Sequence, residues 1–372
     1  MLTKEIDMNK LEKARKIIDE VDREMARLFL RRMEAARLAA EYKKENALPV
    51  YDGAREDALI AKNSEFISEA DPEIRECYVQ FLRKTMEVSR HYQSRLIEGM
   101  KIAYSGTEGA FAHIAAEKIF PSAEKIGYAD FPEAYEAVER GECDAVVLPI
   151  ENSSAGEVGT VADLLYSGTL YINGTYDLAI VQDLLTLPGA DPREIKTVVS
   201  HPQALHQCEE YIRAHGYDTL EFANTALAAE RVRALGDPTV AAIASEQAGK
   251  KYGLTVAARA INAASNNTTR FAILSAARNR YFGARGMDMR FILMFTVKNE
   301  AGSLAQAIDI IGKHGFNMQS LRSRPDKRLL WQYYFYVEAE GNIDSDEGEK
   351  MLAELEGCCE KLKLIGSYRH RD

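Results

Sequence analysis

Residues 99–107 read Gly-Met-Lys-Ile-Ala-Tyr-Ser-Gly-Thr, and the pattern of the chain changes across them. Upstream, no glycine occurs before Gly53, and the segment reads as helix. Pro49 predicts the end of a long first helix, because proline lacks the amide hydrogen that continues the ladder. Asp71-Pro72 reads as an N-cap followed by proline in the first turn. Residues 1–98 are therefore expected to form an all-α domain of three helices. So long a first helix does not bury its faces within one chain, and a homodimer or higher homo-oligomer is expected.

Downstream, short apolar runs alternate with helical segments: Lys101–Tyr104, Asp144–Ile150, Lys196–Val199, Val240–Ala244 and Phe271–Leu274. This alternation predicts an α/β domain over residues 101–278, built on a mostly parallel sheet flanked by helices. Asn279–Gly286 reads as a linker. Residues 287–372 then read strand, helix, strand, strand, helix, strand, the α+β ferredoxin-like order. Phe291–Val297 is its first strand and Ser303–His314 its first helix. In Trp331–Ala339 the alternate residues Trp331, Tyr333, Phe335, Val337 and Ala339 share one face. The last helix is expected over Asp346–Leu362, followed by a strand over Lys363–Tyr368.

Composition narrows the function classes. The 372 residues carry a net charge of −10, which disfavours nucleic acid as the main partner. Charges run through the N-terminus (Lys4, Glu5, Asp7, Lys10), so no signal peptide is expected, and no apolar run is long enough to predict a membrane span. Five cysteines without a C-x-x-C pair read as structural thiols in a reducing cytoplasm. No G-x-G-x-x-G or Walker motif occurs, and no cluster has metal-ligand spacing, so neither a cofactor nor a metal is predicted.

On the first helix, Arg32 and Lys43 are eleven residues apart and fall within about 20° of each other, whereas Arg15 points about 100° away from Arg32. Ser89 and Gln93, four apart, share a face of the third helix. Asp52, Arg55 and Glu56 open the middle helix. Each cation alone reads equally as part of a solvated helix face. As a set, Arg15, Arg32, Lys43, Asp52-Gly53-Ala54-Arg55-Glu56 and Ser89 to Gln93 resemble the all-helical chorismate mutase family. The resemblance implies that chorismate is rearranged to prephenate with no covalent or proton-transfer step. Arg32 and Arg15 would hold carboxylates, Arg15 in the partner subunit's site. Lys43 and Gln93 would donate to the ether oxygen. Glu56 would accept from the ring hydroxyl, with Arg55 and Ser89 supporting the ring carboxylate.

In the α/β domain, polar clusters stand at strand ends, where open sheets bind ligands. They are Ser105-Gly106-Thr107, Glu151-Asn152-Ser153-Ser154, Ser200-His201-Pro202-Gln203, Asn224-Thr225, Ser245, and Asn266-Asn267-Thr268-Thr269-Arg270 before Phe271. Each could simply cap a helix; together they make an anion pocket. The series resembles prephenate dehydratase, which implies two α/β lobes with the site in the cleft. Prephenate would lose its ring hydroxyl and a carboxylate to give phenylpyruvate. Thr269 would donate to the leaving hydroxyl and Arg270 would hold a carboxylate. The remaining contacts would come from Asn152, Ser153, Ser200, His201, Gln203, Asn224, Thr225 and Phe271. Ala110 and Ala112 depart from the family, which usually has hydroxyls there.

The last segment resembles the ACT fold in the phenylalanine-binding version fused to dehydratases. Gly302, Ser303, Leu304 and Ala305 match one motif, and Asn317 precedes the second strand. Arg322, Ser323, Arg324 and Pro325 stand where the family has Glu-Ser-Arg-Pro, so Arg322 reverses a charge. Phenylalanine is the implied effector. The chain thus reads as a multidomain, feedback-controlled bifunctional enzyme. Two alternatives stay open: an active mutase with a non-catalytic small-molecule-binding middle domain, and an amino-acid sensor acting through oligomerisation. A dehydrogenase fusion is disfavoured, because the dinucleotide fingerprint is missing.

Overall fold

The computed structural model describes residues 10–45, 50, 52–67, 69–263, 266–280, 288–325 and 332–369. Trp331 and most of the expected linker lie outside the described residues. The chain divides into two compact units, Met1–Met100 and Lys101–Asp372.

The first unit is three helices: α1 (Lys10–Glu45), α2 (Gly53–Glu65) and α3 (Pro72–Glu98). Asp52 caps α2 by accepting the Arg55 amide at 3.1 Å. Asp71 occupies the N-cap position of α3, but its side chain makes no cap bond, and Pro72 alone marks that start. Ala36 and Ala40, one turn apart, are buried on α1, as are Met86, Ser89 and Gln93 on α3. Small residues on α1 allow α3 to approach closely. Every residue from Lys10 to Arg31 is exposed, including Ile17, Val21, Leu28 and Phe29.

The second unit begins with β1 (Lys101–Ser105), α4 (Phe111–Ile119), β2 (Glu124–Tyr128), α5 (Phe131–Glu139), β3 (Ala145–Asn152), β4 (Gly156–Glu157), α6 (Gly159–Ser167) and β5 (Tyr171–Ala179). A second lobe follows: β6 (Asp183–Thr186), β7 (Thr197–Ser200), α7 (Pro202–Gln207), α8 (Glu209–His215), β8 (Asp218–Glu221), α9 (Thr225–Leu235), β9 (Val240–Ala244), α10 (Glu246–Tyr252) and β10 (Thr255–Ala258). The chain then returns to the first lobe as β11 (Thr268–Ser275). The last segment is β12 (Met289–Val297), α11 (Ser303–Lys313), β13 (Asn317–Pro325), β14 (Tyr333–Glu340), α12 (Asp346–Cys358) and β15 (Cys359–Arg369).

Both sheets are mixed, which corrects the expectation of mostly parallel pairing. The second lobe orders its strands β10-β6-β9-β7-β8, with β7 parallel to both neighbours and β6 antiparallel to both of its own. The large sheet runs β13-β14-β12-β15-β5-β11-β3-β1-β2, with β4 on β3. There β11 lies antiparallel between β3 and β5 because the chain re-enters from the second lobe.

The βαββαβ segment is joined to this sheet where Gly366 on β15 pairs with Ile172 on β5. Its two faces are both covered. Phe291, Leu293, Phe295, Val337 and Ala339 share a core with Ala307, Ile310, Met351 and Leu355 of α11 and α12. Ile292, Met294, Tyr334, Tyr336 and Tyr368 share a core with Leu148, Val161 and Leu165 of the first lobe. Tyr334 stacks on Tyr166 of α6 at 4.3 Å between ring centroids. The last helix is shorter than expected. It stops at Cys358, because Cys359 onward pairs with β12 from Val297 back to Met289, and that ladder overrides local helix preference.

Candidate active sites

The helices of the first unit enclose a cavity of about 250 Å³. Arg32 and Lys43 reach it from α1, Asp52, Arg55 and Glu56 from the start of α2, and Ser89, Arg90 and Gln93 from α3. Arg32 Nε donates to Ser89 Oγ at 3.2 Å. Lys43 Nζ donates to Gln93 Oε1 at 3.0 Å and to the Val50 carbonyl at 2.6 Å. An ammonium carries three donors, so these two bonds hold Lys43 in place and leave an N–H for a ligand. Because Gln93 Oε1 accepts from Lys43, its Nε2 is the donor end, at 3.3 Å from the Ser89 carbonyl. Glu56 is ion-paired to Arg90. Arg15 lies on the exposed part of α1 and does not line this cavity. Arg90 was not anticipated. Its signal was the stripe Met86, Ser89, Arg90, Gln93, spaced i, i+3, i+4, i+7 on α3.

A larger cavity, about 560 Å³, opens between the two lobes of the second unit. Asn152 stands at the end of β3, and Thr269 and Phe271 on β11; His201, Gln203, Asn224 and Thr225 come from the starts of α7 and α9. His201 and Asn224 also cap those helices, at 3.2 Å to the Gln203 amide and 2.7 Å to the Leu227 amide. Burial lowers the His201 pKa from its ordinary value, and Glu221 opposes this. Nδ1 accepts from the Gln203 amide, which assigns the ring proton to Nε2.

Asn152 holds Thr269. Its Oδ1 accepts the amides of Ser154 and Ala155 at 3.0 and 2.9 Å, which fixes the orientation of the amide group. Nδ2 then donates to Thr269 Oγ1 at 2.9 Å. With a lone pair engaged, the Thr269 hydroxyl is left to donate. Gln207 and Gln182 line the cavity too, and neither was anticipated. Gln207 lies four residues beyond Gln203, one turn along the same helix face. Gln182 is 2% exposed, and its Oε1 is buried without a hydrogen-bond partner. Ala110 and Ala112 line the cavity with methyl groups.

Three expected contacts lie elsewhere. Ser200 is buried and donates to the Ile243 carbonyl at 2.6 Å, tying β7 to β9. Ser153 Oγ accepts the Thr268 amide at 3.0 Å and donates to the Asn266 carbonyl at 3.1 Å, anchoring the start of β11. Arg270 points away from the cavity. Its Nε is 2.9 Å from Asp177 Oδ1, and Nη1 is 3.9 Å from Glu338 Oε2. Successive strand residues face opposite ways, so Thr269 and Phe271 cannot share their face with Arg270.

Residues 14–94 match the family model of chorismate mutase type II, and residues 102–279 that of prephenate dehydratase. A bifunctional chorismate mutase/prephenate dehydratase of Aquifex aeolicus (strain VF5) is 32% identical over 369 residues, 97% of this chain and 98% of that protein. The chain belongs to the bifunctional chorismate mutase/prephenate dehydratase family. It rearranges chorismate to prephenate and converts prephenate to phenylpyruvate, in phenylalanine biosynthesis. Among solved structures, the prephenate dehydratase of Arthrobacter aurescens in complex with L-Phe has TM-score 0.67 and 26% identity, covering 73% of this chain and 90% of that one. GqqA, described as a novel type of quorum quenching acylase, has TM-score 0.67 and 29% identity over 73% of this chain and 98% of its own. Among the described residues, no helix is long and apolar enough to cross a membrane.

In this bifunctional enzyme the dehydratase lobe also meets the C-terminal segment. Arg322 Nη2 donates to Glu151 Oε1 at 2.6 Å, and Arg324 lies 3.4 Å from both Glu157 and Asp163. Both arginines turn toward the first lobe, while Ser323 and Pro325 are exposed on the other face of β13. Gly302 precedes α11 with φ of 90°, and its Cβ position is open to 4 Å. Ser303 and Leu304 are half-buried and Ala305 is exposed. Asn317 Nδ2 donates to Glu340 at 3.1 Å.

Proposed function

We propose that the helical cavity carries the mutase reaction and that the cavity between the lobes carries the dehydratase reaction. Seven expected side chains, Arg32, Lys43, Asp52, Arg55, Glu56, Ser89 and Gln93, converge on one helical cavity, and that observation carries the first assignment. The rearrangement breaks a C–O bond as a C–C bond forms within one molecule, so the protein selects the folded conformer and stabilises charge on the ether oxygen. Lys43 and Gln93 supply donors already held in place, and Arg32 supplies charge for a carboxylate. The exposed face of α1 supports a homodimer, in which Arg15 reaches the partner's site.

In the second cavity, prephenate loses carbon dioxide and its ring hydroxyl together. The electrons of the breaking C–C bond complete the aromatic ring, and the hydroxyl leaves as hydroxide, which takes a proton from solvent to become water. Thr269 donates to the departing oxygen and Asn152 orients Thr269. A threonine hydroxyl is a weak acid, so it acts by hydrogen bonding more than by full proton transfer. His201, Gln203, Gln207, Asn224 and Thr225 surround the substrate with donors, together with helix N-termini. Arg270 does not hold a carboxylate in this reading. Covalent acyl chemistry, one route open to an acylase, needs a nucleophile activated by a base. Thr269 has an amide beside it instead, which favours dehydration.

The ferredoxin-like segment acts as an ACT domain that binds phenylalanine between paired copies, through Gly302–Ala305 and the outer face of β13. The enzyme works in the cytoplasm. Separate assays test the two sites. Lys43→Ala lowers prephenate formation from chorismate by orders of magnitude and leaves phenylpyruvate formation from prephenate intact; Thr269→Val does the reverse. Loss of both activities in either variant would contradict two independent sites.

A further inference from the structure

The catalytic face of the β3–β11 pair has a charged reverse side. In register, Asn152 lies opposite Thr269, and Glu151 lies opposite Arg270. Opposed residues of an antiparallel pair share a face, and the next pair along takes the other. A bulge follows, where Arg270 pairs with Glu151 and Phe271 with Pro149, leaving Ile150 extra. Bulges of this kind re-aim side chains beside sites.

Each of the two reverse-face residues meets an opposite charge from the C-terminal segment. Arg322 of β13 donates to Glu151 at 2.6 Å. Glu338 of β14 stands 3.9 Å from Arg270. Glu338 is 3% exposed and is itself held, by Tyr368 Oη at 2.6 Å and Arg290 Nη1 at 3.3 Å. A carboxylate so buried is tolerated only while its cations stay in place. Arg322 also lies over the Tyr336 ring, 5.5 Å from its centroid.

We propose that Arg322 and Glu338 are positioning residues for the dehydratase. Arg322 grips Glu151, and Glu338 lies 3.9 Å from Arg270, whose closer partner is Asp177 at 2.9 Å. Glu151 and Arg270 are the immediate chain neighbours of Asn152 and Thr269, so the two charges bias the separation across which Asn152 orients the Thr269 hydroxyl. Neither touches the cavity. The C-terminal segment therefore acts on turnover through two strand backbones. The inference rests on the reading that Asn152 and Thr269 form the reacting pair.

Charge reversal tests it in the full-length enzyme, with mutase activity of the same chain as the control for folding and concentration. Arg322→Glu and Glu151→Arg each lower dehydratase kcat by about 3- to 30-fold with KM little changed. The double variant Arg322→Glu/Glu151→Arg recovers most of the loss, and Arg322→Gln, which adds no repulsion, shows a smaller loss of the same kind. Unchanged kcat in the single variants, or losses that multiply in the double variant, would overturn the proposal. The underlying reading fails separately: if Asn152→Ala and Thr269→Val keep full turnover, the reacting pair is wrong. If they lose turnover while Arg322→Glu and Glu151→Arg do not, the grip alone is wrong.

Discussion

Asn152 Nδ2 donates to Thr269 Oγ1 at 2.9 Å across the register of β3 and β11. The bond exists because Asn152 spends its oxygen on two backbone amides, which turns its nitrogen toward Thr269 Oγ1 and Asn267 Oδ1, each at 2.9 Å. Thr269→Val keeps the shape and removes the donor. We expect dehydratase kcat to fall by about 10²- to 10⁴-fold. Thr269→Ser keeps a hydroxyl within reach of Asn152 and should retain a substantial part of the rate. Steady-state assays with prephenate check both, and equal activity in the valine and wild-type enzymes would remove Thr269 from the mechanism.

Lys43 is locked between the Val50 carbonyl and Gln93, so its remaining donor is held in place before substrate arrives. Loss of one such donor costs about 10²- to 10³-fold in turnover. Lys43→Ala and Gln93→Ala should each show it in chorismate disappearance, while circular dichroism remains that of the wild type. Near-normal turnover in both would dismiss the assignment.

Gly366 lets two sheets become one. A Cβ there would sit 2.0 Å from the Ile172 carbonyl oxygen. Gly366→Ala must push β15 from β5, and overpacking of this sort costs about 1–3 kcal/mol. Denaturant unfolding should show that loss. A variant as stable as wild type would mean the junction is slack.

His314 bonds Glu347 at 2.6 Å and Glu354 at 2.9 Å, both on α12. The bond to Glu354 first, and then that to Glu347, raises the His314 pKa above its ordinary value. The sign follows: the stabilisation is fully present below the unfolded pKa, about 6.5, and is lost as pH rises through the raised folded value. Stability measured across that window should fall with pH in the wild type and should fall less in His314→Asn. Identical slopes would show that the histidine does not contribute.

The helical site was largely legible because a helix converts spacing into direction. Eleven residues place Arg32 and Lys43 on one face, and both line the cavity. Arg90 follows the same rule but was lost among the other charges of α3. The α/β site was legible in its strand-end clusters. Strand alternation already assigns Arg270 to the face opposite Thr269 and Phe271, so the expected carboxylate contact of Arg270 conflicts with the strand period. The partners of Arg322 and the junction at Gly366 were not legible, because each depends on pairing with residues far away in the chain.

The most direct measurement is product analysis of the purified enzyme supplied with chorismate, with and without phenylalanine. The account predicts phenylpyruvate, formed by way of prephenate, and a changed rate when phenylalanine is added. Accumulation of prephenate with no phenylpyruvate would contradict it and would turn attention to Ala110 and Ala112 in the dehydratase cavity.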